Sequence, residues 1–409
     1  MEDYDAIVVG ARCAGSVLAT RLAGTGWRVL LLDRVTFPSD TVSTHFLFPN
    51  TLERLAALGV MKRLHDAHDI PRLLWSWRVL GHQVAGPFTP VAGEDRLTCI
   101  RRVTLDAALV EQALAAGAAG RFGEPVSGLA GTGRPGDPVR GVRLAGGDIV
   151  RAPWVLGADG RRSAVARLLG LPATRQLTGN MAFLFAYWTG FPAAEWFRMD
   201  VREDLSILSC PCEDGIHLLV LAGPPSLTRG DRTASYLAGI RRFPATLNPR
   251  IVDRATMVSP MVTAPEPMMR GFFRQACGPG WALVGDSGHF KHPVTAQGIS
   301  DAVEQAWFVT DGLLGADPAL GSYPAWRDAR AAGHYEWSFQ SAHLPRPDHA
   351  HPVFAGLAAD PEAAQQWRDL FTRLRSPSEV FTAERQARWA AAWQDRPGTP
   401  AGAAGAWNG

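Results

Sequence analysis

The first 34 residues follow a strand–turn–helix–strand pattern that is typical of a parallel βαβ unit. Residues 6–9 are an apolar run of the kind that buried parallel strands show, and residues 28–32, which begin with Arg28, are predicted as a second buried strand. Between them, the segment Gly10-Ala11-Arg12-Cys13-Ala14-Gly15 permits a tight turn and close helix packing, and the helix amides after it can bind a pyrophosphate. Asp33 ends the second run, where a carboxylate can accept a ribose hydroxyl. The unit therefore predicts dinucleotide binding, although Arg12 replaces the central glycine of G-x-G-x-x-G.

Composition limits the class of protein. A chain of 409 residues is longer than one hydrophobic core usually serves, so we expect at least two regions. With 46% apolar residues, a net charge of +2 and no long apolar run, it reads as a cytoplasmic protein without a membrane span or a nucleic-acid partner. The five cysteines form no C-x-x-C pair, and His349 and His351 stand between prolines as in a loop, so we expect neither disulfides nor a metal site.

Two further motifs stand at predicted strand ends. Asp159-Gly160 follows residues 154–157, and Gly285-Asp286 follows residues 281–284. After Gly285-Asp286 come Pro293 and then Gln297-Gly298-Ile299, which lead into a helix. Each motif alone is typical of an ordinary strand-to-helix turn. In this order and spacing, a carboxylate and free backbone amides are placed to contact the polar groups of one large ligand.

The three motifs together resemble the FAD-dependent monooxygenases of the p-hydroxybenzoate hydroxylase type. The resemblance covers roughly residues 1–75, 97–172 and 270–315. It implies noncovalent FAD, with Arg102 of an R-x-x-L pattern near its phosphates and Pro293 beside the flavin ring. It also implies NAD(P)H as a transient reductant, and oxygen transfer from a flavin hydroperoxide to an aromatic or polyketide-like small molecule. Such enzymes act in bacterial secondary metabolism, including antibiotic biosynthesis.

On this basis we assign candidate residues. The cofactor-binding candidates are Gly10, Ala11, Arg12, Cys13, Ala14, Gly15, Asp33, Arg34, His45, Arg102, Val126, Asp159, Gly160, Gly285, Asp286, Pro293, Gln297, Gly298 and Ile299. The candidates for a catalytic role are His45, Tyr187 and Pro293, none of which stands out as a fixed acid or base. The substrate candidates are Trp75, Trp77, Phe183, Phe185, Tyr187, Cys210 and His217. The alternation of Phe183, Phe185 and Tyr187 along one strand suits a flat apolar ligand, and equally an aromatic core.

The predicted fold class is α/β. A Rossmann-like FAD-binding domain takes residues 1–75, 97–172 and 270–345, with an inserted antiparallel β-sheet domain for substrate at residues 76–96 and 173–269. C-terminal helices take residues 346–395, and residues 396–409 are expected to be a disordered tail. Within this scheme, residues 49–62 read as one helix and residues 73–84 as one strand. A monomer and a homodimer are both consistent with the sequence.

Other functions remain open. A reductase of alkenes, similar to the geranylgeranyl reductases, uses the same fold, but its usual cysteine after the second strand is absent here. A flavin-dependent halogenase is weaker, because residues 75–80 match only part of W-x-W-x-I-P and neither Lys62 nor Lys291 is an obvious catalytic lysine. A flavin-binding accessory protein is the non-enzymatic alternative. The sequence does not choose between NADH and NADPH.

Overall fold

The structure is a computed structural model that describes residues 3–43, 45–315 and 317–395. Its strands, in chain order, are β1 Ala6–Val9, β2 Val29–Asp33, β3 Phe46–Leu47, β4 Leu74–Val79, β5 His82–Gly86, β6 Thr98–Cys99, β7 Ala119–Phe122, β8 Val126–Leu129, β9 Gly141–Leu144, β10 Ile149–Arg151, β11 Trp154–Gly157, β12 Thr174–Leu177, β13 Ala182–Thr189, β14 Trp196–Val201, β15 Ser206–Pro211, β16 His217–Gly223, β17 Thr256–Met257, β18 Val262–Ala264, β19 Gly271–Phe273, β20 Cys277–Gly278, β21 Trp281–Leu283 and β22 His289–Phe290.

The helices are α1 Cys13–Ala23, α2 Pro49–Ala57, α3 Val60–Ala67, α4 Arg102–Ala115, α5 Ala164–Leu168, α6 Arg232–Ile240, α7 Pro249–Val252, α8 Gly298–Leu314, α9 Tyr323–Gln340, α10 Pro347–Ala359, α11 Pro361–Arg368, α12 Pro377–Val380 and α13 Ala383–Gln394. In the described part of the chain, none of them combines the length and the apolar composition that a membrane-spanning helix needs. The segment predicted as a tail, 396–409, lies outside the described residues.

A six-stranded sheet in the order β20-β21-β11-β1-β2-β7 contains the amino-terminal motif. The strands from β21 to β7 are parallel, and β20 pairs antiparallel with β21. Helix α1 packs with α4 and α8 on one face, and the small sheet of β8, β9 and β10 covers the other. Because both faces are covered, β1 is buried and apolar along its whole length.

An eight-stranded sheet in the order β17-β13-β16-β15-β14-β4-β5, with β18 also paired to β13, forms the second layer. Its neighbouring strands are antiparallel except β4 and β14, which are parallel. One face packs on α6 and the segment after it through Tyr236 and Phe243. The opposite face carries Trp75, which packs against Trp367 and Phe371 of the C-terminal region.

Two elements predicted as continuous are each divided. Residues 49–62 form α2 and the start of α3 because Gly59 has φ +79°, a left-handed conformation that interrupts the helix. Residues 73–84 form most of the hairpin β4–β5, in which Leu80 (φ +48°) and Gly81 (φ +90°) make the turn. Two-residue hairpin turns usually carry Asn-Gly or Asp-Gly, so the sequence Leu-Gly gave no turn signal.

The loop predicted around His349 and His351 is wrong. Both residues lie in α10, which begins with Pro347 and also contains Pro352. A proline in the first turn is compatible with a helix because its missing N–H would have no helical partner there. The Nδ1 atom of His351 lies 3.1 Å from Nε2 of His82 on β5, so the histidine joins two elements of the fold.

Candidate active site

A cavity of about 560 Å³ extends from the carboxyl ends of the parallel strands to one face of the eight-stranded sheet. On one side it is lined by Gly10, Asp33, Asp159 and Asp286, each within three residues of the end of a parallel strand. We call this side the motif wall. Ligands of open parallel sheets bind at this edge. The three motifs of the sequence therefore meet in one cleft.

The turn between β1 and α1 depends on its two outer glycines. Gly10 has φ +100°, and a Cβ there would lie 2.5 Å from the carbonyl oxygen of Ala158. A Cβ on Gly15 would lie 1.7 Å from the carbonyl oxygen of Gly10. No side chain caps the amino terminus of α1, so its first amides and the positive end of its dipole are available to an anion.

Asp33 fixes the same turn. Its Oδ2 accepts a hydrogen bond from the amide of Ala11 at 2.8 Å, and its Oδ1 accepts one from Val35 at 3.1 Å. Each carboxylate oxygen has a second lone pair, so Asp33 can still accept a hydroxyl from a ligand. Ala11 and Gly15 therefore shape the turn without being among the described residues that line the cavity.

Arg12 and Arg102 share one carboxylate that the sequence did not single out. Asp106 is fully buried, accepts hydrogen bonds from Nε and Nη2 of Arg102 at 2.8–3.0 Å, and forms an ion pair with Arg12. Arg12 also donates to Ser39, which lies in the segment after β2. Both arginines line the cavity, and two cations against one anion leave a net positive charge there. The sequence feature that could have revealed Asp106 is its i, i+4 spacing from Arg102 on α4.

Asp159 and Asp286 leave unused acceptors in the cleft. Asp159 caps α5 through Oδ2, which accepts from the amides of Ala164 and Val165, while its buried Oδ1 has no partner among the described residues. Burial raises the pKa of Asp159. Burial also raises the pKa of Asp286 to about 6. Nearby cations, Arg102 most strongly, act in the opposite direction and lower it. In the described chain no hydrogen bond to Asp286 is present, so both carboxylates can accept hydrogen bonds from a ligand.

The loop before α8 also lines the cavity. Pro293 begins a 3-10 turn that ends at Ala296, which has φ +55° and so adopts the left-handed conformation without a glycine. Gln297 is not free, because its Nε2 donates to the carbonyl of Leu370 at 2.6 Å and its Oε1 accepts from Lys291 at 2.9 Å. At Gly298 a Cβ would meet open space, and no side chain caps α8.

A buried ionic cluster that sequence reasoning missed stands behind this loop. The Nζ of Lys291 lies 2.8 Å from Oδ2 of Asp301, and Arg373 pairs with the other oxygen of the same carboxylate. All three residues are at least nine-tenths buried. The contacts bind the C-terminal segment to the start of α8. The only sequence signal was the position of Lys291 two residues before Pro293.

The other side of the cavity, which we call the sheet wall, is aromatic and apolar. Four of the substrate candidates, Trp75, Trp77, Phe183 and Phe185, line it. Phe197 also lines it, and residues from neighbouring strands that the sequence did not identify complete it: Met199, Ser206, Leu208, Val220, Ala222 and Ala264. Trp75 stacks on Phe197 with ring centres 4.4 Å apart. The pleat explains the set, since Phe197 and Met199, and likewise Ser206 and Leu208, stand two residues apart on one face.

His45 and Tyr187 form a pair at the edge of the sheet wall. The Nε2 of His45 lies 2.6 Å from the hydroxyl of Tyr187, and His45 has φ +68°. His45 lines the cavity, and Tyr187 is not among the described residues that line it. Burial raises the pKa of Tyr187, so its hydroxyl stays protonated near neutral pH.

Two substrate candidates, Cys210 and His217, are not among the described residues that line the cavity. Cys210 is fully buried in the core beneath the sheet wall. His217 hydrogen bonds to Ser209 at 2.8 Å and stacks on Phe191 with ring centres 4.3 Å apart. Burial lowers the pKa of His217 to about 3, so it is a neutral packed residue.

Of the predicted cofactor-binding residues, those that line the cavity are Gly10, Arg12, Cys13, Ala14, Asp33, Arg34, His45, Arg102, Val126, Asp159, Gly160, Asp286, Pro293, Gly298 and Ile299. Ala11, Gly15, Gly285 and Gln297 stand behind them. Gly285, for example, donates its amide to Gln305 at 2.8 Å.

Comparison with known proteins identifies the family. The FAD binding domain family matches residues 3–338. The chain belongs to this family. Family membership confirms the resemblance found in the sequence, and it makes the protein an FAD-dependent enzyme among oxidoreductases that include monooxygenases and hydroxylases. FAD is the cofactor.

The chain is similar in sequence to three known enzymes. The chain is 28% identical over 321 residues to 6-methylpretetramide 4-monooxygenase of Streptomyces rimosus, covering 74% of this chain and 73% of that one. It is 27% identical over 323 residues to menaquinone reductase of Mycobacterium tuberculosis, covering 74% of each. It is 31% identical over 175 residues to rifampicin monooxygenase of Streptomyces venezuelae, covering 41% of this chain and about a third (34%) of that protein's length.

Among solved structures, the flavin-dependent brominase Bmp2 has a TM-score of 0.73 at 16% identity, covering 95% of this chain and 98% of that one. At this identity the likeness concerns the fold alone. The described residues are mixed α/β and share the fold of FAD-binding proteins.

The residues of the motif wall fit FAD. The uncapped start of α1 and the net positive Arg12–Asp106–Arg102 group suit a pyrophosphate. The unpartnered Oδ1 of Asp159 and the carboxylate of Asp286 suit hydroxyl donors of a ligand. The open space at Gly298 lets a flat group approach the amides of α8.

Proposed function

We propose that the protein is an NAD(P)H-consuming FAD monooxygenase that hydroxylates or epoxidises a flat, largely apolar aromatic or polyketide-like compound in bacterial secondary metabolism. One observation carries the proposal: the cleft that fits FAD continues without a break into an aromatic chamber on the eight-stranded sheet. A cofactor on the motif wall and a substrate on the sheet wall would therefore face each other in one cavity.

In this proposal FAD is held by Gly10, Asp33, Arg102, Asp159 and Asp286, with its phosphates at the start of α1. The boundary expected at residue 75 falls inside β4, which belongs to the eight-stranded sheet from Leu74 onwards, so the FAD-binding part comprises residues 1–73, 97–172 and 270–345, and the substrate part residues 74–96 and 173–269. Reduced by NAD(P)H, bound FAD supplies the electrons that activate molecular oxygen. Because the chain has one dinucleotide fingerprint, the nicotinamide cofactor visits the same cavity transiently.

The chain's own residues would exclude water and manage one proton. The buried aromatic side chains of the sheet wall keep the chamber dry, which strengthens polar interactions within it. His45 is placed to accept a proton from a substrate hydroxyl, because it lines the cavity and its Nε2 is hydrogen bonded to Tyr187. Pro293 would lie against the flavin and limit its position.

The experiment is turnover under ¹⁸O₂ with NADH or NADPH and a panel of phenolic and polyketide-like compounds, followed by mass spectrometry of the product. A product that gains one ¹⁸O atom, with faster flavin reduction when substrate is present, is the expected result. A product that contains no atom from molecular oxygen would overturn monooxygenation.

A reductase is the second candidate, and the menaquinone reductase relative favours it, because it covers as much of the chain as the S. rimosus monooxygenase. A product that gains two hydrogens and no oxygen would identify this activity. Halogenation has less support, since Lys291 is already bound to Asp301 and Gln297 and Lys62 is exposed.

A further inference from the structure

Charge is distributed unevenly along the cavity. Among its described lining residues, every Asp, Glu, Arg and Lys comes from outside the eight-stranded sheet, as with Arg102, Asp286 and Lys291. The sheet strands contribute only aromatic and aliphatic side chains and one serine. A carboxylate or phosphate buried against such a wall would have no cation to neutralise it, and a buried charge without a counter-ion costs several kcal/mol. The sheet wall therefore selects against charged ligands.

The serine is Ser206, at the start of β15. It is 1% exposed, and its Oγ has no hydrogen-bond partner among the described residues. Its cross-strand neighbours are Val201 and Ala222, neither of which has a polar side chain. Buried hydroxyls in folded proteins nearly always have a partner. An unpartnered hydroxyl beside a ligand cavity indicates that the ligand supplies one.

Two other residues of the sheet wall support the same reading. Trp75 and Trp77 are 1% and 7% exposed, and the indole Nε1 of each also has no partner among the described residues. An indole N–H only donates, so its missing partner is an acceptor such as a carbonyl or hydroxyl oxygen. The sheet wall thus offers three groups that can donate a hydrogen bond but no cation, which suits an uncharged oxygen better than a charged one.

We propose that the substrate is an uncharged ring compound with a hydroxyl or carbonyl oxygen, and that Ser206 binds this oxygen. The proposal rests on the proposed function for the location of the substrate, and it adds the substrate's charge state and a specificity-determining residue. Neutral phenols, naphthols and quinones belong to this class, and aromatic carboxylates do not.

The test measures ligand binding to the FAD-loaded enzyme, without turnover, from the change in the flavin absorbance spectrum. The probes are 1-naphthol, which is neutral and carries an oxygen, naphthalene, which lacks the oxygen, and 1-naphthoate, which is charged. We expect 1-naphthol to bind about fivefold tighter than naphthalene and about a hundredfold tighter than 1-naphthoate. Tighter binding of 1-naphthoate, or no binding of 1-naphthol up to its solubility limit, overturns the proposal.

The variant is Ser206→Ala, and the matched control is Ser209→Ala. Ser209 lies on the same strand but on the opposite face, where its Oγ is bonded to His217. Ser206→Ala should weaken 1-naphthol binding about fivefold and leave naphthalene binding unchanged, while Ser209→Ala changes neither. An unchanged ratio of the two affinities in Ser206→Ala refutes the role of this residue.

Trp77→Phe provides a second measurement if Ser206→Ala loses FAD. It removes the indole N–H and should also weaken 1-naphthol binding relative to naphthalene, and equal weakening of both ligands counts against the proposal. The outcome is independent of the ¹⁸O₂ experiment. A labelled product together with an unchanged naphthol preference rejects this inference and leaves the monooxygenase intact. An unlabelled product together with the expected naphthol preference rejects the monooxygenase and leaves this inference intact.

Discussion

Replacing Asp286 with asparagine should stabilise the apoprotein and weaken FAD binding. Burial raises the pKa of Asp286 to about 6 from its ordinary value of 3.8, and the cations near it only partly oppose this. The carboxyl group of Asp286 therefore holds its proton more tightly in the folded chain than in the unfolded chain. Ionisation of this group lowers the free energy of unfolding. The loss begins near pH 4, grows up to about pH 6 and is complete above that.

The difference between about 6 and 3.8 corresponds to about 3 kcal/mol at full ionisation. Because the asparagine amide must also leave water, we expect a gain of about 1–3 kcal/mol in the free energy of unfolding at pH 8, falling towards zero at pH 4. The FAD complex should change in the opposite direction. The asparagine amide oxygen still accepts a hydrogen bond from FAD, but replacing the charged acceptor by a neutral one costs about 1–1.5 kcal/mol, which raises the Kd for FAD about fivefold to tenfold.

Urea unfolding of the apoprotein at pH 8 and pH 4, and FAD titration followed by flavin fluorescence, measure the two effects. Asp253→Asn is the control, because Asp253 is exposed and pairs with Arg241 at the surface. The reasoning is refuted if Asp286→Asn is no more stable than the parent at pH 8, if its gain is the same at both pH values, or if its affinity for FAD is unchanged.

Three further substitutions follow from the same cleft. Gly15→Ala places a Cβ 1.7 Å from the carbonyl oxygen of Gly10, so we expect a loss of about 3 kcal/mol in the free energy of unfolding. Gly146→Ala is the control, because a Cβ there meets open space and should have little effect. Thermal denaturation measures both. Asp106→Ala leaves two arginines without their shared carboxylate and should cost about 3–5 kcal/mol in urea unfolding; a cost below 1 kcal/mol contradicts the buried pair. Gly298→Ala should preserve the melting temperature of the apoprotein and raise the Kd for FAD, and an unchanged Kd would remove this position from the cofactor site.

The local parts of the fold could be predicted from the sequence. The βαβ unit at residues 6–33 and the strand β11 were placed correctly or within a few residues, because buried parallel strands are apolar throughout and their turns need particular residues. The sequence also placed Gly10, Asp33 and Asp286 at strand ends for the same reason, because these positions depend on neighbours within a few residues of the chain.

Contacts between distant segments were decided only by the tertiary structure. Asp106 lies 94 positions from Arg12, and His45 lies 142 positions from Tyr187, so nothing local indicated either pair. The sheet wall also depends on distant segments. The alternation of side chains along the strand predicted that Phe183 and Phe185 share one face, but it did not predict which other strand places Ser206 on the same wall. Which face meets the cavity depends on strand pairing and on the layers that cover the sheet, and these are long-range properties that a short pattern does not encode.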